Sequence, residues 1–475
     1  MLIPRPFQAE LIDAARMAIR GGARRVLLQL PTGGGKTAIA ALIMRGMRER
    51  EALSYFTAHR RELLTQTSRT FDLAELPHGF IARGQRYDPA ALTQLVGLAY
   101  AVRRRADLPK PKNAIVDEAH HAVANDWTEL LDYWDCLQLG LSATPERLDG
   151  RGLGDRFDVM LRGPTVRWLI ENGFLSSFRY FAPGKPDLTG VHTTGGDFNR
   201  AELADVMGDA DLIGDVVRIY REKAEGQPGI VFGVDRKHSA SIAAAFQAKG
   251  IAAAHVDGTM TDNQRDAIVG AFREGTLKVM CNVDLFGEGF DVPGIVYCGL
   301  CRPTKSLSLF LQQCGRALRV FDGKEEAIIC DHAGNVFTHG MPDDDRQWSL
   351  DAKAKRSKGP SDASPVHQCP LCYQVTFSQL RACPCGYVFT IRQRSVAWAE
   401  GELFELPRDV ARREQVIDKA ALRKAEERAC GTFNELYDLA IKRGYDNPQG
   451  WAKRTLAMRR AGARGRPPGG FRGRR

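Results

Sequence analysis

Val26-Leu-Leu-Gln-Leu-Pro-Thr-Gly-Gly-Gly-Lys-Thr37 runs directly into Ala38-Ile-Ala-Ala-Leu-Ile-Met-Arg-Gly-Met-Arg-Glu49. An apolar run, a glycine turn and a helix-like stretch follow one another, which reads as strand, loop, helix. That order is what a phosphate chain requires. Glycines let the backbone curl until its amides point inward, and the start of a helix adds partial positive charge. Thr32, Gly33, Gly34 and Gly35 form the loop, Lys36 would reach the β- and γ-phosphates, and the Thr37 hydroxyl would sit on Mg²⁺. The strict G-x-x-x-x-G-K-T pattern fails at its first position, which is Leu30. The bland alternative is a glycine turn that happens to precede a lysine, and the flanking strand and helix speak against it.

Outward from this loop the pattern repeats. VLLQL, ALSYF, AIVD and CLQLGLSA are short apolar runs between Val26 and about Met160, each followed by polar or helix-forming sequence. A second series begins near Gly229 with GIVFGV, IAAAHV, LKVMCNV, GIVYCGL and EAIICD. Strands alternating with helices predict parallel sheets covered on both faces, and hence two tandem α/β lobes. The expected divisions are a nucleotide-binding lobe over 1–162, a connector and approach to the second lobe over 163–228, and a second lobe over 229–340. A polar, Pro- and Gly-dotted linker is expected over 341–365, a cysteine-rich segment over 366–392, a helical region over 393–460 and a basic disordered tail over 461–475.

Asn113-Ala-Ile-Val-Asp-Glu-Ala-His120 is an apolar strand ending in two acids. In open α/β sheets ligands bind at the carboxyl edge, so these acids fall where a nucleotide would lie. Asp117 would hold Mg²⁺ and Glu118 would polarise the attacking water. A lone Asp-Glu pair is usually a solvated loop end; after a phosphate loop, in this order, it reads as catalytic.

With these two motifs in place, the chain resembles the DEAH-type helicases of superfamily 2, and the resemblance runs from about Pro4 to Gly340. Arg5-Pro-Phe-Gln8 is similar to the upstream element whose glutamine reads adenine, which makes Gln8 the adenine candidate; an amide can pair with N6 and N7 of that base. Ala58-His-Arg-Arg-Glu-Leu63 resembles the first nucleic-acid-facing motif and implicates Arg60. Leu141-Ser-Ala-Thr-Pro145 resembles the motif that couples hydrolysis to strand movement, implicating Ser142 and Thr144 together with His120. Asp284-Leu-Phe-Gly-Glu-Gly-Phe-Asp-Val-Pro293 resembles the motif that touches both nucleotide and nucleic-acid backbone, through Gly289 and Asp291. Gln312-Gln-Cys-Gly-Arg-Ala-Leu-Arg319 resembles the motif carrying arginine fingers, so Arg316 and Arg319 are expected against the γ-phosphate with Gln312 nearby. The layout of the second lobe is similar to the bacterial and phage branch that includes RadD-type and type III restriction-subunit-like helicases. The resemblance implies two RecA-like lobes, ATP and Mg²⁺ as ligands, and ATP hydrolysis coupled to cleft closure.

Two departures stand out. The stretch Leu95-Val-Gly-Leu-Ala-Tyr-Ala-Val-Arg-Arg-Arg105 lacks the threonine-bearing nucleic-acid motif that often precedes the acidic box. His121 follows that box and receives no role from the resemblance.

Cys369-Pro-Leu-Cys372 and Cys383-Pro-Cys385-Gly386 have the character of a zinc ribbon, with thiolates beside turn-forming Pro and Gly. The second half is C-x-C where C-x-x-C is usual, which tightens the knuckle. Structural Zn²⁺ is expected, with free thiols in a linker as the alternative; four thiolates leave no open position for catalysis. Of the 11 cysteines, Cys281, Cys298 and Cys330 lie in or beside expected strands and read as core.

The 475-residue chain is 44% hydrophobic and 26% charged, which excludes global disorder, and no apolar run approaches the roughly 20 residues that span a bilayer. Its start lacks the unbroken apolar stretch of a secretory signal, so a cytoplasmic location with reduced cysteines and no membrane partner is expected. A net charge of +10 suits a polyanion. Nucleic acid is the expected partner, DNA ahead of RNA. The alternative is a remodelling subunit whose partner, such as a nuclease, performs the decisive chemistry. Protein partners are expected to act through the helical C-terminal region. The arginine-glycine tail with Phe471 suits contacts with a flexible strand, or is merely solvated.

Overall fold

A computed structural model of the chain describes residues 2–121, 125–146, 151–182, 186–208, 210–283, 294–351, 365–389, 427, 430, 432–443 and 447–462. The first lobe is a parallel sheet of seven strands: β1 (Arg25–Gln29), β2 (Ser54–Ala58), β3 (Gly79–Ile81), β4 (Thr93–Gly97), β5 (Asn113–Val116), β6 (Leu137–Ser142) and β7 (Val159–Arg162), in the order β3-β4-β2-β5-β6-β1-β7. β1 shows why these strands are continuously apolar. Val26 and Leu28 enter one core while Leu27 enters another on the opposite face, so neither face can be polar.

The second lobe uses β8 (Ser177–Phe181), β11 (Gly229–Phe232), β12 (Ala253–Val256), β13 (Val279–Asn282), β14 (Tyr297–Leu300) and β15 (Glu326–Asp331), all parallel, in the order β12-β13-β11-β14-β15-β8. Between β8 and β11 in the chain lies a small hairpin of β9 (Thr193–Thr194) and β10 (Asp197–Phe198). The largest apolar cluster joins the two lobes: Val26 and Leu28 belong to it, and so do Ile230, Phe232, Phe310 and Leu318.

β8 lies in the stretch read from sequence as connector and approach to the second lobe, and it closes the edge of the second sheet. It is an edge strand with Arg179 turned outward and paired with Glu326 at 2.6 Å, so it lacks the apolar run of a central strand. The described part of the expected linker, 341–351, packs rather than dangles. Leu350 O accepts from Leu153 N (2.7 Å) and Gly154 N (2.9 Å) of the first lobe. Arg346 is satisfied by backbone oxygens, including Met341 O at 2.7 Å and His339 O at 3.1 Å. A polar composition conceals such a segment because its charges find partners, Arg346 on carbonyls and Asp343 on Arg167, and only Met341 and Leu350 tie it to apolar neighbours.

The cysteine-rich segment forms an antiparallel pair, β16 (Val366–Gln368) and β17 (Val375–Phe377), against the free edge of β8. Ala182 N donates to Tyr373 O at 3.1 Å, and Val375 is buried in the shared core. Beyond residue 391 the chain forms a separate unit. Within it the helices Phe433–Lys442 and Pro448–Gly462 pack on each other, and Thr432 with Glu435 makes a reciprocal cap at the first. Residues 463–475 of the expected tail and the whole 284–293 motif, with Gly289 and Asp291, lie outside the described residues. Among the described residues no helix is long and apolar enough to cross a membrane.

Candidate active site

The phosphate loop leaves β1 and enters the helix Lys36–Arg48 through Gly33 (φ 86°) and Gly35 (φ 87°). Both lie in the left-handed region that a side chain makes costly. At Gly35 a Cβ would also stand 2.4 Å from Gln8 Nε2. The loop is thus glycine for shape and for close approach.

It opens on a cavity of about 350 Å³ between the lobes. Thr32, Gly33, Gly35, Lys36, Thr37, Asp117 and Glu118 line it from the first lobe, and Gln312, Arg316 and Arg319 line it from the second. Residues some 280 positions apart in the chain therefore share one pocket. The helix Leu307–Ala317, capped by Ser306 Oγ on Leu309 N, carries Gln312 and Arg316. Its close approach depends on Gly315, where a Cβ would meet Thr32 Cβ at 2.6 Å.

On the first lobe, Lys36 Nζ lies 3.6 Å from Glu118 Oε1. Asp117 is buried, and its carboxyl is pushed up to about 7 by burial and by the charge of Glu118, while Lys36 pulls it down. Two buried carboxylates sharing one ammonium form a donor set that suits a divalent cation. Glu118 adopts φ 46°, a left-handed backbone that costs a non-glycine residue energy and directs the side chain into the site. On the second lobe, Gln312 Nε2 is buried without a hydrogen-bond partner among the described residues, as expected of a group facing a polar ligand. Burial lowers the Arg319 guanidinium below the ordinary arginine value. Cradle, carboxylates and arginines together fit a nucleoside triphosphate with its metal ion.

The coupling candidates form one hydrogen-bonded group. His120 Nδ1 lies 3.2 Å from Ser142 Oγ and 3.4 Å from Glu118 Oε2, and Ser142 Oγ accepts from Thr144 N at 3.2 Å. Gln8 is buried with its amide held inside the protein: Oε1 accepts from Arg5 N at 3.0 Å, and Nε2 donates to Gly34 O at 3.0 Å. The cavity's lining near it is instead Arg5 and Phe174, with the Arg5 guanidinium 5.0 Å from the ring centroid. Sequence reasoning did not single these two out. Arg5 could have been found, since it opens the same RPFQ motif; Phe174 carries no signal in its connector. Arg60 is half-buried at the start of the helix Arg61–Leu73, with Nε donating to His59 Nε2 at 3.3 Å.

The four cysteines converge. Cys369 Sγ and Cys385 Sγ are 3.6 Å apart, as are those of Cys372 and Cys383, and all four lie within 4.8 Å of one another. A zinc–thiolate distance of about 2.3 Å implies sulfur–sulfur edges of roughly 3.8 Å in a tetrahedron. The set fits that ion.

Comparison with known proteins agrees with this geometry. Residues 1–147 match the family model of the type III restriction enzyme res subunit, and residues 211–321 match the helicase conserved C-terminal domain. A 51.5 kDa protein of Lactococcus phage (isolate 7-9) is 35% identical over 371 residues, covering 78% of this chain and 79% of the phage protein. The chain belongs to the superfamily 2 helicases. The Saccharomyces cerevisiae protein IRC3, named as an ATP-dependent helicase, is 31% identical over 353 residues, and the match spans 70% of this helicase but only 51% of IRC3. Among solved structures, a fragment assigned to the HsdR subunit of a type I restriction enzyme from Vibrio vulnificus YJ016 shares the fold at TM-score 0.58 and 20% identity, covering 72% of this chain and 66% of that one. The chain is therefore an ATP-dependent helicase of the superfamily 2 type with restriction-subunit relatives.

Proposed function

We propose that this helicase translocates on DNA, closing and opening the cleft between its sheets with each ATP hydrolysed. The observation that carries this reading is the single cavity lined by Lys36 and Glu118 from one lobe and by Gln312, Arg316 and Arg319 from the other. Lys36 holds the terminal phosphates against the loop amides. Thr37 and Asp117 would hold Mg²⁺, which would supply positive charge against the triphosphate. Glu118 orients and polarises the attacking water. Arg316 and Arg319 stabilise charge that spreads on the transferred phosphoryl group, an effect of about 10³ to 10⁵ in rate for such fingers. Because the two sets sit on different lobes, the triphosphate favours the closed cleft and its loss releases it. His120, Ser142 and Thr144 connect this chemistry to the second lobe, and Arg60 faces the polymer.

DNA is favoured by the restriction-enzyme family of the first lobe and by the net charge of +10. The cysteine knuckles hold structural Zn²⁺ and stiffen the edge of the second sheet. ATP turnover measured in parallel with single-stranded, duplex and forked DNA and with RNA tests the reading. Stimulation by DNA supports it, and stimulation by RNA alone overturns it. The res-subunit match also favours a second reading, a remodelling subunit whose partner cuts the polymer. DNA-stimulated turnover without strand separation would favour translocation or remodelling over unwinding, and cleavage that needs both this chain and a partner would mark the second reading.

A further inference from the structure

His59 and His121 lie between the candidate polymer contact and the acidic box. His59 is the first residue after β2, and its Nε2 accepts from Arg60 Nε at 3.3 Å. The His59 ring meets that of His121 edge-on, with centroids 5.4 Å apart and planes at 62°. His121 in turn lies against His120, with centroids 4.2 Å apart. From His120 the chain of contacts divides, with Glu118 Oε2 at 3.4 Å and Ser142 Oγ at 3.2 Å. Through Thr144 the second branch reaches Ser308 of the other lobe. Trp127, itself buried, is a further ring neighbour of His59, with centroids 6.5 Å apart.

We infer that His121, with His59, is a positioning residue that makes ATP turnover depend on the bound polymer. The inference rests on the proposed reading that Arg60 faces that polymer. When Arg60 shifts to grip a phosphate, it draws the His59 ring with it through the Nε–Nε2 hydrogen bond. The His59 and His121 rings meet at 5.4 Å and the His121 and His120 rings at 4.2 Å, so a shift of one ring changes the contacts of the next. The movement reaches His120 and then Glu118, whose left-handed backbone leaves its carboxylate set by its neighbours rather than by a relaxed local minimum. His121 is exposed, so its position in this line is not explained by core packing.

The measurement is ATP turnover of the full chain with and without single-stranded DNA, for wild type, His121→Ala, His121→Phe, His59→Ala and the double variant His59→Ala/His121→Ala, with DNA affinity from fluorescence anisotropy. The expected result is that His121→Ala lowers the stimulation ratio about fivefold or more, the lower end of typical coupling between sites. Basal turnover and DNA affinity stay as in wild type, and His121→Phe, which keeps a ring in place, restores most of the ratio. The double variant His59→Ala/His121→Ala loses no more than the stronger single one, since both interrupt one line. An unchanged ratio in His121→Ala overturns the inference, and so does an equal fall in basal and stimulated turnover. A wild-type turnover that no nucleic acid raises overturns the polymer reading itself, and the relay with it.

Discussion

Thr144 Oγ1, just beyond the end of β6, donates a 2.6 Å hydrogen bond to Ser308 Oγ on the second-lobe helix Leu307–Ala317. That helix also carries Gln312 and Arg316, so this bond adds a polar tie between the arginine-bearing helix and the first lobe. Ser308 is not among the residues lining the nucleotide cavity. Removing its hydroxyl should therefore act on closure rather than on ligand contacts.

A neutral hydrogen bond contributes about 0.5–1.5 kcal/mol net, and leaving the buried Thr144 hydroxyl without its acceptor adds to the loss. Ser308→Ala is expected to raise the Kd of a non-hydrolysable ATP analogue by about three- to tenfold. Titration with a fluorescent analogue reads this directly. An unchanged Kd would show that the bond does not help hold the cleft shut.

Lys36→Ala and Glu118→Gln are both expected to abolish turnover, for different reasons. Lys36 belongs to the phosphate cradle, so its loss should also weaken nucleotide binding. Glu118→Gln keeps the size of the side chain and removes the carboxylate that polarises water, so ATP should still bind. Turnover and analogue binding measured side by side separate the two. Full turnover in either variant would overturn the site assignment.

The parts of this site that are legible in sequence are those whose chemistry is local. The phosphate loop, the acidic box and the glutamine-arginine helix each fit within about a dozen residues, and each needs its residue types in a fixed order. What sequence did not reveal is set by distant partners. The Thr144–Ser308 bond spans 164 positions. β8 is half-exposed at a sheet edge and has no apolar run to mark it. The packed strap at 341–351 is mostly polar, and its anchors Met341 and Leu350 stand nine positions apart with no helix or strand period between them. The involvement of Gln8 with Gly34, rather than with an open pocket, depends on a loop brought in from 26 residues away. A pattern read along the chain has no access to such pairings.

The cysteine knuckles give a prediction that does not depend on the motor. Freshly purified protein should hold one zinc per chain, and Cys369→Ser should lower that content. β17 packs against β8 beside the buried Val375, so losing the metal should free an edge of the second sheet. A strong chelator is then expected to lower Tm by several degrees, since structural zinc contributes directly to folding. Elemental analysis and a melting curve check both points. Protein without zinc and indifferent to chelator would leave four free thiols.

Gly315 separates stability from closure. It lies inside the helix Leu307–Ala317, where glycine costs roughly 0.5–1 kcal/mol relative to alanine. Gly315→Ala should therefore favour the helix when the second lobe is considered alone. In the closed cleft the added Cβ would stand 2.6 Å from Thr32 Cβ and 2.7 Å from Thr32 Cγ2, far inside contact distance. Thr32 cannot swing away as a long side chain would, because it is short and lies between Pro31 and Gly33 in the phosphate loop. The variant should keep or slightly raise Tm while ATP turnover falls at least about tenfold, the equivalent of 1.4 kcal/mol. A fall in Tm together with turnover would point to a damaged lobe. Wild-type turnover would show that the two lobes complete the reaction without the approach of Thr32 to this helix.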